Sequence, residues 1–232
     1  MKARPPPPAP PPASGGGGYS LVLLAAFILL TLLVRRGMTD RGDDALLRWM
    51  QAHLLPHAAW LWQTISWPGY APQSFGMSIF FILLAWWHGN RRGLVLMLVA
   101  ALASPLNSAI KQLMARPRPT PEQARVIGEI PTSAAYPSGH VVMYTVLCGL
   151  LILIIRDALP AGRRERRREW VVCGILAAAI LLVGPARVAL GHHWPTDVLG
   201  GYLLAGALLI LLARWRHVPS SLPSASEALE CS

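Results

Sequence analysis

Charge is scarce in this chain, and acid is scarcest. Only 14% of the 232 residues are Asp, Glu, Lys or Arg, with 11 acids against 21 bases; soluble domains average about 25% charged. With a hydrophobic share of 53%, too little polar surface remains to clothe a soluble fold along most of the chain. Cysteine is equally thin. Cys148 and Cys173 fall inside apolar runs and Cys231 in the tail, which excludes a disulfide framework. No H-E-x-x-H, paired-cysteine, P-loop or dinucleotide fingerprint occurs, so zinc hydrolases and nucleotide-binding folds have no support in sequence. No internal repeat is evident.

What the chain has instead is long apolar runs from Tyr19 to Ala213. Residues 4–18 are proline-rich and then glycine-rich, which predicts a disordered leader over 1–18. YSLVLLAAFILLTLLV (19–34) is followed at once by Arg35-Arg36 rather than by a small-residue cleavage site, so it reads as an uncleaved first span. Five more spans are predicted at about 72–88, 94–110, 138–155, 170–187 and 197–213, each apolar all round. The fold class expected is all-α: a polytopic membrane protein, a six-transmembrane-helix bundle over 19–213 with a cytoplasmic tail at 214–232. Gly200, Gly201, Ala205 and Gly206 in the last span allow close helix packing. Between the first two spans, DDALLRWMQAHLLPHAAWLWQTISW alternates apolar and polar faces and carries four tryptophans, as an interfacial segment would.

The net charge of +10 rests on nineteen arginines and two lysines. In a membrane protein such a balance points to orientation and anionic lipid headgroups, not to nucleic acid. Six spans place both termini on one side. If that side is the cytoplasm it holds twelve of the basic residues, including the run GRRERRRE (162–169). Arg35, Arg36 and Arg41 weigh the other way.

That topology brings three polar clusters to the outer membrane interface: KQLMARPRP (111–119), YPSGH (136–140) and ARVALGHHWPTD (186–197). Lys111, Arg118 and Arg187 supply fixed positive charge, two of them as planar forks suited to phosphate oxygens. Ser138 and Gly139 precede a helix start, where backbone N–H groups can face an anion. His140, His193 and Asp197 then suffice for a nucleophile, an orienting carboxylate and a general acid. Taken singly, each residue has a duller reading: interfacial anchors for the cations, ordinary helix-start chemistry for P-S-G, a packing histidine, a dipole-complementing aspartate. A metal site is the competing use of the histidines, but no ligand spacing supports it and three cations stand nearby. Of the histidine pair, His193 lies four residues before Asp197, about one turn. His192 lies five before it and is expected to project elsewhere, into packing or solvent.

These clusters strongly resemble the type 2 phosphatidic acid phosphatase superfamily of membrane lipid phosphatases, whose pattern is K-x6-R-P, then P-S-G-H, then S-R-x5-H-x3-D. Lys111 with Arg118-Pro119, Pro137 to His140, and Arg187, His193 and Asp197 match it in order. Ala186 stands where the family usually has serine, which removes one possible hydroxyl contact to phosphate. The resemblance implies a metal-free, cofactor-free phosphatase in which His193 attacks phosphorus, Asp197 holds its ring and His140 protonates the leaving oxygen before activating water. Lys111, Arg118, Arg187 and the Ser138-Gly139 backbone would bind phosphate. The implied partners are membrane lipids and a lipid phosphate substrate: undecaprenyl diphosphate, phosphatidic acid, phosphatidylglycerophosphate or a lipid A phosphate. The implied setting is a bacterial inner membrane with the site facing the periplasm or exterior. A phosphotransferase using the same histidine and a non-catalytic scaffold are the alternatives. A transporter would carry charges within its spans, and these are nearly charge-free.

Overall fold

The computed structural model describes residues 16–87, 91–128, 131–158 and 163–215. Most of the predicted leader (1–15) and tail (216–232) therefore lies outside the described residues. Gly16–Gly18, assigned by sequence to the leader, already belong to the first helix.

Among the described residues the regular structure is all helical. In chain order the helices are α1 (Gly16–Arg35), α2 (Asp40–Ser66), α3 (Gln73–Trp87), α4 (Arg91–Ala101), α5 (Ala103–Met114), α6 (Gly139–Ala158), α7 (Arg163–Ala189) and α8 (Pro195–Trp215), with one 3-10 turn at Trp67–Gly69. Five segments are long and apolar enough to cross a membrane: Gly17–Arg35, Arg91–Met114, Gly139–Asp157, Arg167–Ala189 and Pro195–Trp215. The predicted second span appears as α3, only 15 residues or about 22 Å long at 1.5 Å per residue, short of a ~30 Å hydrocarbon core. The predicted third span is two helices, α4 and α5, which meet at Leu102. From Arg163 the GRRERRRE stretch forms the first turns of α7.

Local chemistry sets the ends that matter. Thr39 precedes α2, and Asp40 and Asp43 stand in its first turn, where carboxylates favour the positive end of the helix dipole. Pro56 sits inside α2, and the backbone leaves helical geometry at Ala58, bending the amphipathic segment rather than ending it. α5 stops at Ala115, whose left-handed backbone closes the helix with a bond from its N–H to the Lys111 carbonyl. Pro117 and Pro119 keep the next residues out of a helix.

α6 lies at the centre, packed on α8 and α7 and flanked by α5 and α4; α1 packs along α8, α2 along α7, and α3 on α4. The main core joins Phe27, Leu30 and Val34 of α1 to Val142, Val146 and Leu150 of α6 and to Leu204 and Ala205 of α8. Small residues in α8 make the closeness possible: Gly200 faces the Tyr136 ring and Gly206 faces Leu23. Tyr136 stacks on Phe27, ring centroids 6.0 Å apart, and its hydroxyl bonds Thr31 at 2.8 Å. The outward faces of α1, α3 and α7 stay apolar and exposed, among them Leu29, Phe80 and Leu181, as lipid contact requires.

A cationic site at one end of the bundle

The C-terminal ends of α5 and α7 and the N-terminal ends of α6 and α8 share one end of the bundle. Lys111, Ser138 to His140, Arg187, His193 and Asp197 all sit there, so the three sequence clusters converge. Gly191 makes the turn from α7 toward α8: its φ is +75°, and a Cβ there would stand 2.7 Å from the Arg125 carbonyl oxygen. His192 and His193 follow it, both buried.

Asp197 is fully buried, and its partners are all specified. Oδ2 accepts the Trp194 N–H at 2.9 Å and faces His193 Nδ1 at 3.3 Å, while Oδ1 accepts from Arg116 at 2.7 Å. Since the carboxylate only accepts, His193 Nδ1 carries the proton and Nε2 carries the lone pair. That Nε2 lies 3.2 Å from an Arg118 terminal nitrogen, which also donates to the His192 carbonyl at 2.6 Å. Burial, followed by the charges of Arg118, Lys111, Arg187 and His140, holds the His193 ring well below the ordinary imidazole range. The ring is thus neutral, with its lone pair turned toward the surrounding cations.

Arg118 is braced by the Ser133 carbonyl at 2.8 Å. Burial and then the neighbouring Arg187 charge bring it down to about 10, against the pull of Asp197. Lys111 donates to the Ala134 and Ala135 carbonyls at 2.5 and 3.3 Å. Arg187 has no exposed surface; one arm donates to the Tyr70 hydroxyl at 2.6 Å, and its Nε and other terminal nitrogen have no protein partner. The His140 Nε2 and the Ser138 hydroxyl are likewise buried and unpartnered. Buried polar atoms without partners are rare, and here they gather where an anion would meet them. The Ser138 N–H is already given to the Asp197 carbonyl at 3.0 Å. That residue therefore offers the anion its hydroxyl rather than the backbone N–H expected from sequence, while Gly139 and His140 occupy the first turn of α6, whose N–H groups the helix leaves free.

Four contributors were missed in the sequence reading. Arg116 reaches Asp197 with one terminal nitrogen and the buried Asp43 of α2 with the other, each at 2.7 Å. Burial works against its charge, yet Asp197 and Asp43 hold Arg116 above the usual guanidinium range. Asp43 also accepts the Thr196 N–H at 2.9 Å and hydroxyl at 2.6 Å, tying α2 to the start of α8. Tyr70, in the turn before α3, holds Arg187 and sets its ring edge-on to His140, centroids 4.8 Å apart. Gly69 beside it lets the backbone lie against the His140 ring, since a Cβ there would fall 2.7 Å from Nε2. His192, expected in packing or solvent, is in packing: its Nε2 donates to the Ile127 carbonyl at 2.8 Å and its Nδ1 faces the Tyr70 hydroxyl at 3.2 Å. Burial and then Arg187 push its ring down to about 3, so the neutral Nδ1 accepts. The chain Ile127–His192–Tyr70–Arg187 thus fixes one fork of the arginine and leaves the other free. Ala186 belongs to an apolar cluster with Trp62, Ala189 and Leu190, so its methyl replaces the family's hydroxyl inside packing. Among the described residues no group of three or more His, Cys, Asp or Glu is arranged to hold a metal ion.

A helical bundle with five membrane-length apolar segments and, at one end, a histidine, a carboxylate and three cations defines the class: a multi-pass membrane protein with a cationic site. The chain belongs to the PAP2 superfamily, whose pattern matches residues 92–220. It is 32% identical over 139 residues to phosphatidylglycerophosphatase B of Bacillus subtilis (strain 168), covering 60% of this chain and 62% of that protein. It is 29% identical over 133 residues to undecaprenyl-diphosphatase of Sulfolobus acidocaldarius, covering 56% and 58%. The match thus spans about three fifths of the length of these curated relatives. The fold is shared with a crystal structure described as the first transmembrane PAP2 type phosphatidylglycerolphosphate phosphatase from Bacillus subtilis: TM-score 0.72, 22% identity, 88% of this chain and 98% of that one.

Proposed function

We propose that this protein is a lipid phosphate phosphatase that works through a phosphohistidine on His193. The observation that carries the reading is the His193 ring itself: Nδ1 tied to Asp197, Nε2 carrying the lone pair 3.2 Å from an Arg118 terminal nitrogen. Nε2 attacks phosphorus and the bond to the lipid oxygen breaks, with His140 delivering the proton to that oxygen. Water then attacks phosphorus, His140 takes its proton, and the P–N bond breaks to return the neutral ring. Lys111, Arg118, Arg187, the Ser138 hydroxyl and the Gly139 N–H bind the phosphate and its transition state. Fixed cations in a dry site supply the charge stabilisation that a metal supplies elsewhere. Asp197 holds the ring and balances the positive charge it gains.

In the membrane, α3 is the short second of six spans and α4–α5 together form the third. The bundle covers 19–213, the leader and the 214–232 tail are cytoplasmic, and the site faces the periplasm or exterior of a bacterial inner membrane. The arginine distribution supports this orientation. The substrate is a phosphomonoester or diphosphate of a lipid, which the names of both relatives favour. Purified protein in detergent, offered a panel of lipid phosphates, should release inorganic phosphate, and the His193→Ala variant should not. Phosphate passed to an alcohol acceptor in preference to water would make the protein a transferase instead.

A further inference from the structure

In the reading above His140 presents Nε2 to the departing oxygen, and that nitrogen is buried without a protein partner. The His193 ring is set by Asp197. The His140 ring is set by shape, against the turn that follows α2. Tyr70 stands edge-on to it, centroids 4.8 Å apart. Gly69 lies so close that a Cβ there would fall 2.7 Å from Nε2. The aim of the ring therefore follows the position of residues 66–70.

Two phenols tie that segment down. At its far end the Tyr70 hydroxyl is engaged by Arg187 and His192. At its near end the Ile65 carbonyl accepts from the Tyr144 hydroxyl at 2.6 Å. Ile65 is in the last turn of α2, where carbonyls run out of intrahelical partners, so Tyr144 supplies what the helix does not. The neighbouring Ser66 hydroxyl is buried and unpartnered and adds no tie of its own. Tyr144 is 4% exposed and stands one turn after His140 on α6, a spacing that puts both on one side of the helix. One helix thus carries the acid and, a turn deeper, the hydroxyl that holds the wall against it.

We infer that Tyr144 is a positioning residue for proton transfer: it anchors the end of α2 so that the 66–70 turn closes on the His140 ring and aims Nε2 at the leaving oxygen. Tyr144 acts through the Ile65 carbonyl and the turn, not on the substrate. The inference rests on the phosphatase reading, with His140 as its acid, and deepens it.

The test uses two leaving groups that differ in their need for a proton. A decyl-chained benzyl phosphate expels an alkoxide, which must be protonated as the P–O bond breaks. A decyl-chained nitrophenyl phosphate expels a stable phenolate, which need not be. The two esters are alike in size, and kcat/KM covers the steps through phosphohistidine formation, so the later attack of water stays out of the comparison. The full-length protein in detergent would be assayed on both. Tyr144→Phe should lower kcat/KM on the benzyl ester about tenfold and change the nitrophenyl ester under about threefold, a part of the roughly 10²–10⁴ that a positioned acid supplies. His140→Ala should split the esters further, and adding Tyr144→Phe to it should cost nothing more. Gly69→Ala keeps the phenol but presses on the ring directly, and should split them too. Tyr202→Phe loses a like bond, 2.6 Å to the Ile180 carbonyl, and should leave the ratio alone. If both esters fall together in Tyr144→Phe, or the ratio does not move, the inference is overturned while the phosphatase stands; should that variant not fold, an unmoved ratio in Gly69→Ala has the same force. A ratio unmoved in His140→Ala takes the acid away from His140 and the inference with it. Hydrolysis of neither ester by wild type sinks the phosphatase reading as well.

Discussion

Replacing Arg116 with methionine keeps an unbranched apolar stem and removes the cation between two buried carboxylates. Asp43 and Asp197 are 2% and 0% exposed, and each loses a 2.7 Å charge-assisted bond. Asp43 retains Thr196, and Asp197 retains Trp194 and His193, so neither is stripped bare. Two stranded charges nonetheless face each other across the vacated space. Breaking a buried ion pair from one side costs about 3–5 kcal/mol, and that is the destabilisation expected. Catalysis should suffer separately, because Asp197 loses the partner that fixes its second oxygen and thereby the set of the His193 ring. We expect kcat to fall about 10²-fold (~2.7 kcal/mol of barrier), with a smaller change in KM. The assay is steady-state hydrolysis at a temperature where thermal melts show the variant folded. Adding Asp43→Asn removes one stranded charge and should restore part of the melting temperature but not kcat. Arg48→Met is the control: its pair with Asp44 is exposed and should contribute under about 1 kcal/mol. A variant that melts early yet keeps wild-type kcat would refute the link from Arg116 through Asp197 to the nucleophile.

His193→Ala should lose roughly 10³-fold or more in activity (~4 kcal/mol), together with the acid-labile, base-stable phosphate trapped on wild type; label surviving in that variant would move the nucleophile elsewhere. Tyr70→Phe and His192→Ala each cut the chain that holds Arg187 and should weaken vanadate inhibition about tenfold, with little further loss when either is placed in an Arg187→Lys background; additive losses would deny the coupling. His192 and His193 are held neutral by burial and nearby cations, so the unfolded chain binds more protons as pH falls below the usual imidazole value. Stability should therefore be full above about pH 6.5 and decline below it by about 1.4 kcal/mol per pH unit for each ring, read as detergent melts at pH 7 and 5; a flat profile would contradict the neutral rings. Activity should survive excess EDTA, and loss on chelation with recovery on adding a divalent ion would contradict a site run by arginine and lysine.

The helices and the three polar clusters were legible because both signals are local: apolar runs of helical length, and motifs in which His193 and Asp197 stand one turn apart. The short α3 and the divided α4–α5 were less so, since hydropathy blurs over Leu102. Most of the supporting residues could not be read from local sequence. Asp43 meets Thr196 across 153 positions and Tyr70 meets His192 across 122, and nothing local to α2 or to the turn at Tyr70 marks either. One signal was available for Arg116. In an extended R-P-R-P segment residues two apart share a side, so an Arg118 aimed at the 192–197 turn implies an Arg116 aimed there too.

The first helix packs along the last, with Tyr136 bonded to Thr31 of α1 and covering Gly200 of α8. A chain is made from its N-terminus, so α1 waits in the bilayer until α8 has been synthesised before meeting its companion. Lys111, Arg118 and His140 emerge early; Arg187, His193 and Asp197 come with α7 and α8, and the docking of α8 onto α2 and α6 coincides with closure of the bundle. A chain made only as far as α6 holds half of the site. The site built from α5, α6, α7 and α8 is therefore whole only once α8 has been inserted.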